Sequence, residues 1–457
     1  MEGFEELKRD ALHHVWPNFA SRVDLARGEP KFIVSGKGAK VWDEDGKEYI
    51  DAFAAIQTTQ IGHGRPEIAE AVAEQMRRLA FYPAVIDYFT VPVVRLAHKL
   101  AQIVPGGLDR FCFANDGSEA VELALKIAKR YQQERGHARR YKVISRRFAY
   151  HGATMGALSV NGVPGIRAGM DPMVPGVRHG PAAYCYRCEY GLSHPACGMQ
   201  CVEEIGRIIA WEGPDTVAAV IVEPVMGAAV GFAAPPDGYL KRLREICDRH
   251  GVLLIFDEVS VGFGRTGKWF ACQHWGVYPD IMTMAKGLTS GYLPLGAAAV
   301  RPEIFETFIG RSAHADFVHG HSFAGHTSSC AAALANIAII EQEGLVERAA
   351  TFGADLLGKL RGLLRHPIVG EVRGAGMAYG IEIVKDRATR APFDAGLGLT
   401  RKMRLRSWEL GLIIRAEKDI VVLCPPLVLT EDEGDRVVAI LDQVIGEAEA
   451  ELGIPGT

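Results

Sequence analysis

The sequence has little net charge. Over 457 residues, 51 lysines and arginines stand against 55 aspartates and glutamates, leaving −4. A nucleic-acid-binding protein needs a basic stripe, and none is present, so no nucleic-acid partner is expected. No apolar run is long enough to span a bilayer. The first residues, MEGFEELKRDALHHVW, contain no apolar signal core. The expectation is a cytoplasmic protein with no membrane partner. Internal repeats, low-complexity tracts and long linkers are also missing, which excludes solenoids and disordered arrays.

The remaining composition, 48% hydrophobic and 23% charged, is that of an ordinary soluble enzyme. The length exceeds one ordinary core and predicts a large domain with a smaller one. A reducing compartment argues against disulfides among the nine cysteines. Cys112, Cys247, Cys272, Cys330 and Cys424 are scattered among apolar residues and read as small buried hydrophobes. Cys185, Cys188, Cys197 and Cys201 cluster in CYRCEYGLSHPACGMQC. Four thiolates in so short a loop either bind Zn²⁺ or line a lid as free thiols. No metal is assigned to the reaction.

The pattern along the chain is β/α. KFIVSGKGAKVWDEDGKEYIDAFA alternates and turns at Asp45-Gly46, a hairpin signal. PEIAEAVAEQMRRL opens with a proline suited to a first helical turn. Short apolar runs then alternate with helical patterns: RFCFA, YKVIS, TVAAVIVE, VLLIFD, DIMTMA and LGAAAV. That alternation predicts βαβ units and a mostly parallel sheet. Beyond Cys330 the texture turns helical and then mixed, with strands near AYGIEIV and DIVVLCPPL. The expected fold is α/β, with a large domain over 61–329. A smaller α+β domain is expected from both chain ends, 1–60 and 330–457.

Ligands of open α/β sheets bind outside the carboxyl ends of the strands. Three such ends carry unusual residues. VLLIFD ends in Asp257. FANDGSEAVELALKIAKRY joins a strand to a helix, with Asp116 and Glu119 spaced as a capping pair. The Gly117 and Ser118 amides there make an anion site at the helix's positive end. DIMTMAKG delivers Lys286 from an apolar strand, where the amine either snorkels out, pairs with Asp257 as a structural salt bridge, or is desolvated and suited to forming a Schiff base. A phosphate cradle, a carboxylate and a reactive amine match the phosphate, pyridine nitrogen and aldehyde of pyridoxal 5′-phosphate (PLP). Asp257 then meets a pyridinium. At about 4 Å and an effective dielectric near 20, that pair is worth ~4 kcal/mol, roughly three pKa units of support for the protonated ring.

These blocks resemble the class III (omega) aminotransferases of PLP fold type I, the aspartate aminotransferase-like fold, along nearly the whole chain. DEVSVGFGRTGKWF is similar to the family's DEV-x-x-GFGRTG signature, NDGSEAVE to its phosphate turn, and YHG to the segment whose aromatic ring stacks on the cofactor. VEPVMG and GLIIRAEKDIVVLCPPL match two further blocks. The resemblance implies that Lys286 bonds to the cofactor aldehyde and then serves as base and acid, while Asp257 holds the pyridine nitrogen. Val259 and Tyr150 face the two sides of the ring, and His151 and Glu223 belong to the cofactor's surroundings. Ser322 stands where a threonine usually reaches a neighbouring subunit's phosphate, implying a homodimer, or a tetramer of dimers, with shared sites. Arg415 resembles a mobile arginine that forks onto a substrate carboxylate, with Glu223 as its candidate resting partner.

Two positions depart from the family pattern. Gln57, expected to touch substrate, stands near a tryptophan of members that favour aryl amines. Ser260 replaces a common glutamine. HSFAGHTSSCAAAL is closer to pyruvate-using members, taurine–pyruvate types included. His319, His321 and His326 are expected to be structural, because the lysine supplies the acid–base chemistry, and the same reasoning gives His151 no catalytic part. The implied activity is transfer of an amino group from a primary amine or amino acid to a keto acid by a ping-pong mechanism. Same-fold decarboxylase, aminomutase or racemase chemistry shares these residues and stays open at this stage. A cofactor-binding regulator with a dead site would be expected to have lost Lys286.

Overall fold

The computed structural model describes residues 3–19, 30–309 and 316–455. Strands β1 (Ile33–Lys37), β2 (Lys40–Asp43) and β3 (Glu48–Asp51) form an antiparallel meander near the N-terminus, with its second turn at Asp45-Gly46. Seven strands follow in the centre: β4 (Arg110–Ala114), β5 (Lys142–Arg146), β6 (Val177–Gly180), β7 (Val217–Val222), β8 (Leu253–Asp257), β9 (Ile281–Met284) and β10 (Gly296–Val300). Their spatial order is β4-β10-β9-β8-β7-β5-β6. All run parallel except β10, which is antiparallel to both neighbours. The C-terminal strands are β11 (Val369–Ala375), β12 (Ala378–Ile383), β13 (Leu412–Ile413), β14 (Arg415–Glu417) and β15 (Ile420–Leu423). Of these, β13 pairs parallel with β3, so the two chain ends share one sheet, and the other four build a third sheet.

The apolar runs of the sequence are buried because the central sheet is covered. Every residue of β7 and β10 is buried, as a strand covered on both faces requires. The helix Gly117–Glu134 packs across β4, β7, β8, β9 and β10. The helix Thr327–Gln342 lies against the helices Pro66–Leu79 and Val91–Ile103. Cys247, Cys272, Cys330 and Cys424 are buried as expected, whereas Cys112 is only half-buried. It sits on β4, an edge strand of the sheet. Among the described residues no single helix is long and apolar enough to cross a membrane.

The carboxyl ends of β4, β5, β8 and β9 gather at one edge, and the reversed β10 brings its first residue there. That residue is Gly296, level with Ala114. A Cβ on Gly296 would meet the Asp116 carbonyl oxygen at 2.1 Å. No side chain fits there without pushing back the turn that opens the helix Gly117–Glu134. The change Gly296→Ala should therefore destabilise the protein by ~1–3 kcal/mol through overpacking, read as a fall in thermal midpoint. An unchanged midpoint would show that this turn can yield.

Candidate active site

Asp257 ends β8 with only 4% of its surface exposed. A buried carboxylate costs several kcal/mol unless its oxygens are hydrogen-bonded. Here Oδ2 lies 2.7 Å from His151 Nδ1, and Oδ1 accepts from the Val259 N–H and the Thr283 hydroxyl, both at 3.1 Å. With the carboxylate on Nδ1, the imidazole carries its proton there and donates it. His151 Nε2 is buried without a partner among the described residues. The hydrogen bond from His151 to Asp257 is a partner that the sequence reading did not name. The carboxylate is already oriented by two side chains and one amide.

The turn after β4 opens a capped helix beside the cavity. Asp116 caps the helix Gly117–Glu134, accepting from the Glu119 N–H at 2.9 Å. The Glu119 carboxylate returns to the Asn115 N–H at 2.8 Å rather than to that of Asp116, so the expected reciprocal capping pair is shifted by one residue. First-turn N–H groups have no partner inside a helix, and Gly117 and Ser118 line the cavity beside them. A Cβ on Gly117 would come within 2.8 Å of the Val259 side chain. Glycine is what lets this backbone approach the valine.

Lys286 follows β9 with a positive φ of 41°, and its side chain reaches the cavity wall at Ser260. The loop behind it is held by Asn336 from the helix Thr327–Gln342, whose Nδ2 donates to the carbonyls of Gly287 at 2.8 Å and Leu288 at 3.0 Å. The lysine amine donates to Ser260 Oγ at 2.6 Å. It makes no ion pair with Asp257, which removes the reading of the two as a structural salt bridge. Burial of the amine end pushes its pKa down to about 8, with Arg415 and Arg265 acting in the same direction and Asp257 and Cys424 against it.

Two cavities meet at this lysine. One, of 390 Å³, is lined by Gly117, Ser118, His151, Asp257 and Val259. The other, of 160 Å³, is lined by Gln57, Glu223 and Arg415. Tyr150, Ser260 and Lys286 belong to both. Gln57 is buried, and its Oε1 has no partner among the described residues. Glu223 is held by Arg146 at 3.5 Å and by the N–H groups of Tyr150 at 3.3 Å and Gly227 at 3.2 Å. Arg415 lies over the Phe53 ring at 5.7 Å.

Other expected residues lie elsewhere. Ser322 is exposed and lines neither cavity of its own chain. His319 is near Lys126 at 3.3 Å, His321 near Glu119 at 3.5 Å, and His326 stacks on Phe81. Cys185, Cys188, Cys197 and Cys201 are free thiols around one 20 Å³ void. Burial, and the nearness of the other three, push the Cys201 thiol up to about 11. Among the described residues no three of His, Cys, Asp and Glu are placed to hold a metal ion. Thr283, Asn336 and the Ser260–Lys286 contact escaped the sequence reading. A lone hydroxyl in IMTM and a lone amide in AAALANIAII were the signals for the first two.

Residues 25–445 match the family described as Aminotransferase class-III. The chain is 41% identical to a probable aminotransferase of Mycobacterium tuberculosis, over 96% of this chain and 94% of that one. It is 38% identical to a taurine–pyruvate aminotransferase of Bilophila wadsworthia, over 96% and 97%. A solved (S)-enantioselective omega-transaminase from Thermomicrobium roseum superposes with a TM-score of 0.94 at 42% identity, over 98% of this chain and 99% of that one.

The lowered lysine pKa has a direct consequence. Condensation of the apoprotein with added PLP should accelerate as pH rises through about 8, followed by stopped-flow absorbance. A midpoint at the ordinary lysine value of 10.5 would mean that the amine is solvated.

Proposed function

The chain belongs to the class III aminotransferases, PLP-dependent enzymes of fold type I, and is a transaminase; within that family we propose a ping-pong transfer from a primary amine or amino acid to pyruvate. The observation that carries this is the position of Lys286, a desolvated amine at the junction of two cavities beside a hydrogen-bonded buried carboxylate.

The larger cavity fits the cofactor residue by residue. The Gly117 and Ser118 amides, at the first turn of the helix Gly117–Glu134 and on the cavity wall, would hold the phosphate. Val259 and Tyr150, both on the cavity wall, would flank the ring, and Asp257 would hold its nitrogen. When bound, PLP supplies a carbonyl carbon for the substrate nitrogen and an electron sink for the carbon next to it. Asp257 keeps a proton on the ring nitrogen. His151 and Thr283 keep Asp257 from turning away. Lys286 would take up the proton at the substrate carbon and hold it for return, as a base whose pKa of about 8 suits both roles. Glu223, fixed by Arg146, lines the smaller cavity.

Arg415 binds the carboxylate of the keto acid through two parallel hydrogen bonds. Its charge is felt at both Lys286 and Tyr150. Gln57 gives the substrate cavity a polar wall in place of an aromatic one. The small second cavity and the taurine–pyruvate relative support pyruvate as acceptor. The working unit is a homodimer or a tetramer of dimers, with Ser322 reaching the neighbouring site. Its exposure, and that of Phe323, Val318, Ile86 and Phe89, supports such an interface. Nine free cysteines support a reducing compartment, the cytoplasm.

A donor amine alone should convert the bound cofactor to its amine form, and pyruvate should reverse the change. Lys286→Ala should lower kcat by on the order of 10³-fold or more, and unaffected turnover would overturn the assignment. Arg415→Ala should raise KM for pyruvate about 10–100-fold, the loss of a charge-assisted hydrogen-bonded pair. The half-reaction with a neutral-tailed amine should stay near the wild-type rate. Equal losses in both half-reactions would contradict the role given to Arg415.

A further inference from the structure

The DEV-x-x-GFGRTG block carries a hydroxyl where glutamine is common in the family it resembles. Ser260 Oγ lies 2.6 Å from Lys286 Nζ, the one hydrogen bond that this amine makes among the described residues. Both residues line both cavities. Charged and titratable groups surround the amine from other elements: Asp257 at the end of β8, Arg265 beyond it, Arg415 on β14 and Cys424 after β15. None of them fixes its position by a direct bond. An unanchored lysine side chain carries about 2 kcal/mol of rotamer entropy and would spread over both cavities.

We infer that Ser260 is a positioning residue for Lys286, seating its amine on the wall common to the two cavities so that each remains within reach. This rests on the reading of Lys286 as the reactive amine. A hydroxyl suits the task because it has one donor and two acceptor lone pairs. It accepts from the lysine when the amine is charged and donates to its lone pair when the amine is neutral. The seat therefore survives each proton transfer. A carbonyl oxygen serves only the charged form.

The test uses full-length protein with PLP added back to the apo form, before any amine is present. Ser260→Ala should lower the plateau rate of PLP condensation about tenfold, equivalent to ~1.4 kcal/mol of lost orientation, without moving its pH midpoint or the affinity for PLP. In turnover, kcat should fall by a similar factor while KM is retained. The isotope effect with donor deuterated at the reacting carbon should grow, because proton transfer becomes slower relative to the other steps. Ser260→Thr keeps the hydroxyl and should restore all three readings. Condensation at the wild-type rate in Ser260→Ala would overturn the inference. So would a loss confined to PLP affinity, which would assign Ser260 to the cofactor, or a failure of threonine to rescue in a protein with an unchanged thermal midpoint. Because condensation is read without substrate, failure of the transaminase reading and failure of this one are seen separately.

Discussion

The structure is organised around a buried carboxylate whose two oxygens are both hydrogen-bonded. Asp257 sits at the tip of a strand buried on both faces, in the middle of a seven-stranded sheet. An isolated anion there would protonate or unfold its surroundings. Three donors prevent this, and each comes from a different stretch: His151 beyond β5, Thr283 within β9, and the Val259 amide just past β8. The parallel register of β8 with β9 sets Thr283 level with Asp257, so the sheet itself supplies one of them. In the proposed reading, the cofactor's nitrogen would meet a carboxylate that is already oriented.

The lysine depends on the same edge. The strand β9 that provides Thr283 also delivers Lys286 a few residues later, so the acid–base group and the carboxylate are fixed to one another by adjacent strands. Behind it, Asn336 ties the loop to the helix Thr327–Gln342. The reversed strand β10 places Gly296 against the phosphate turn. Four separate segments of chain thus converge on a region that no single motif defines.

Much of this was legible in the sequence because it is written in strong local signals. VLLIFD, TVAAVIVE and DIMTMA could be read as buried strands from apolar continuity alone, and the helix Pro66–Leu79 from its leading proline. Asp257, Lys286 and the Gly117–Ser118 turn stood out because charged or flexible residues at the ends of apolar strands are unusual. The partners of Asp257 were not legible. His151 lies 106 residues away and Thr283 lies 26 away, and such pairings are set by strand order, which periodicity does not reveal. The short edge strand β6, VRHG, was also missed, having too few apolar residues to signal itself. Four clustered cysteines left Zn²⁺ and free thiols both open, because spacing along the chain does not determine whether thiols converge; among the described residues they surround a void without a metal ligand set.

The central claim is that the charge of Asp257 keeps the cofactor's ring nitrogen protonated. The most direct measurement is the ¹⁵N chemical shift of ring-labelled PLP bound to the wild-type protein and to Asp257→Asn. The account predicts a protonated nitrogen in the wild type across neutral pH and a neutral one in the variant, where an amide replaces the anion. A protonated nitrogen in both proteins, or a neutral one in both, would contradict it.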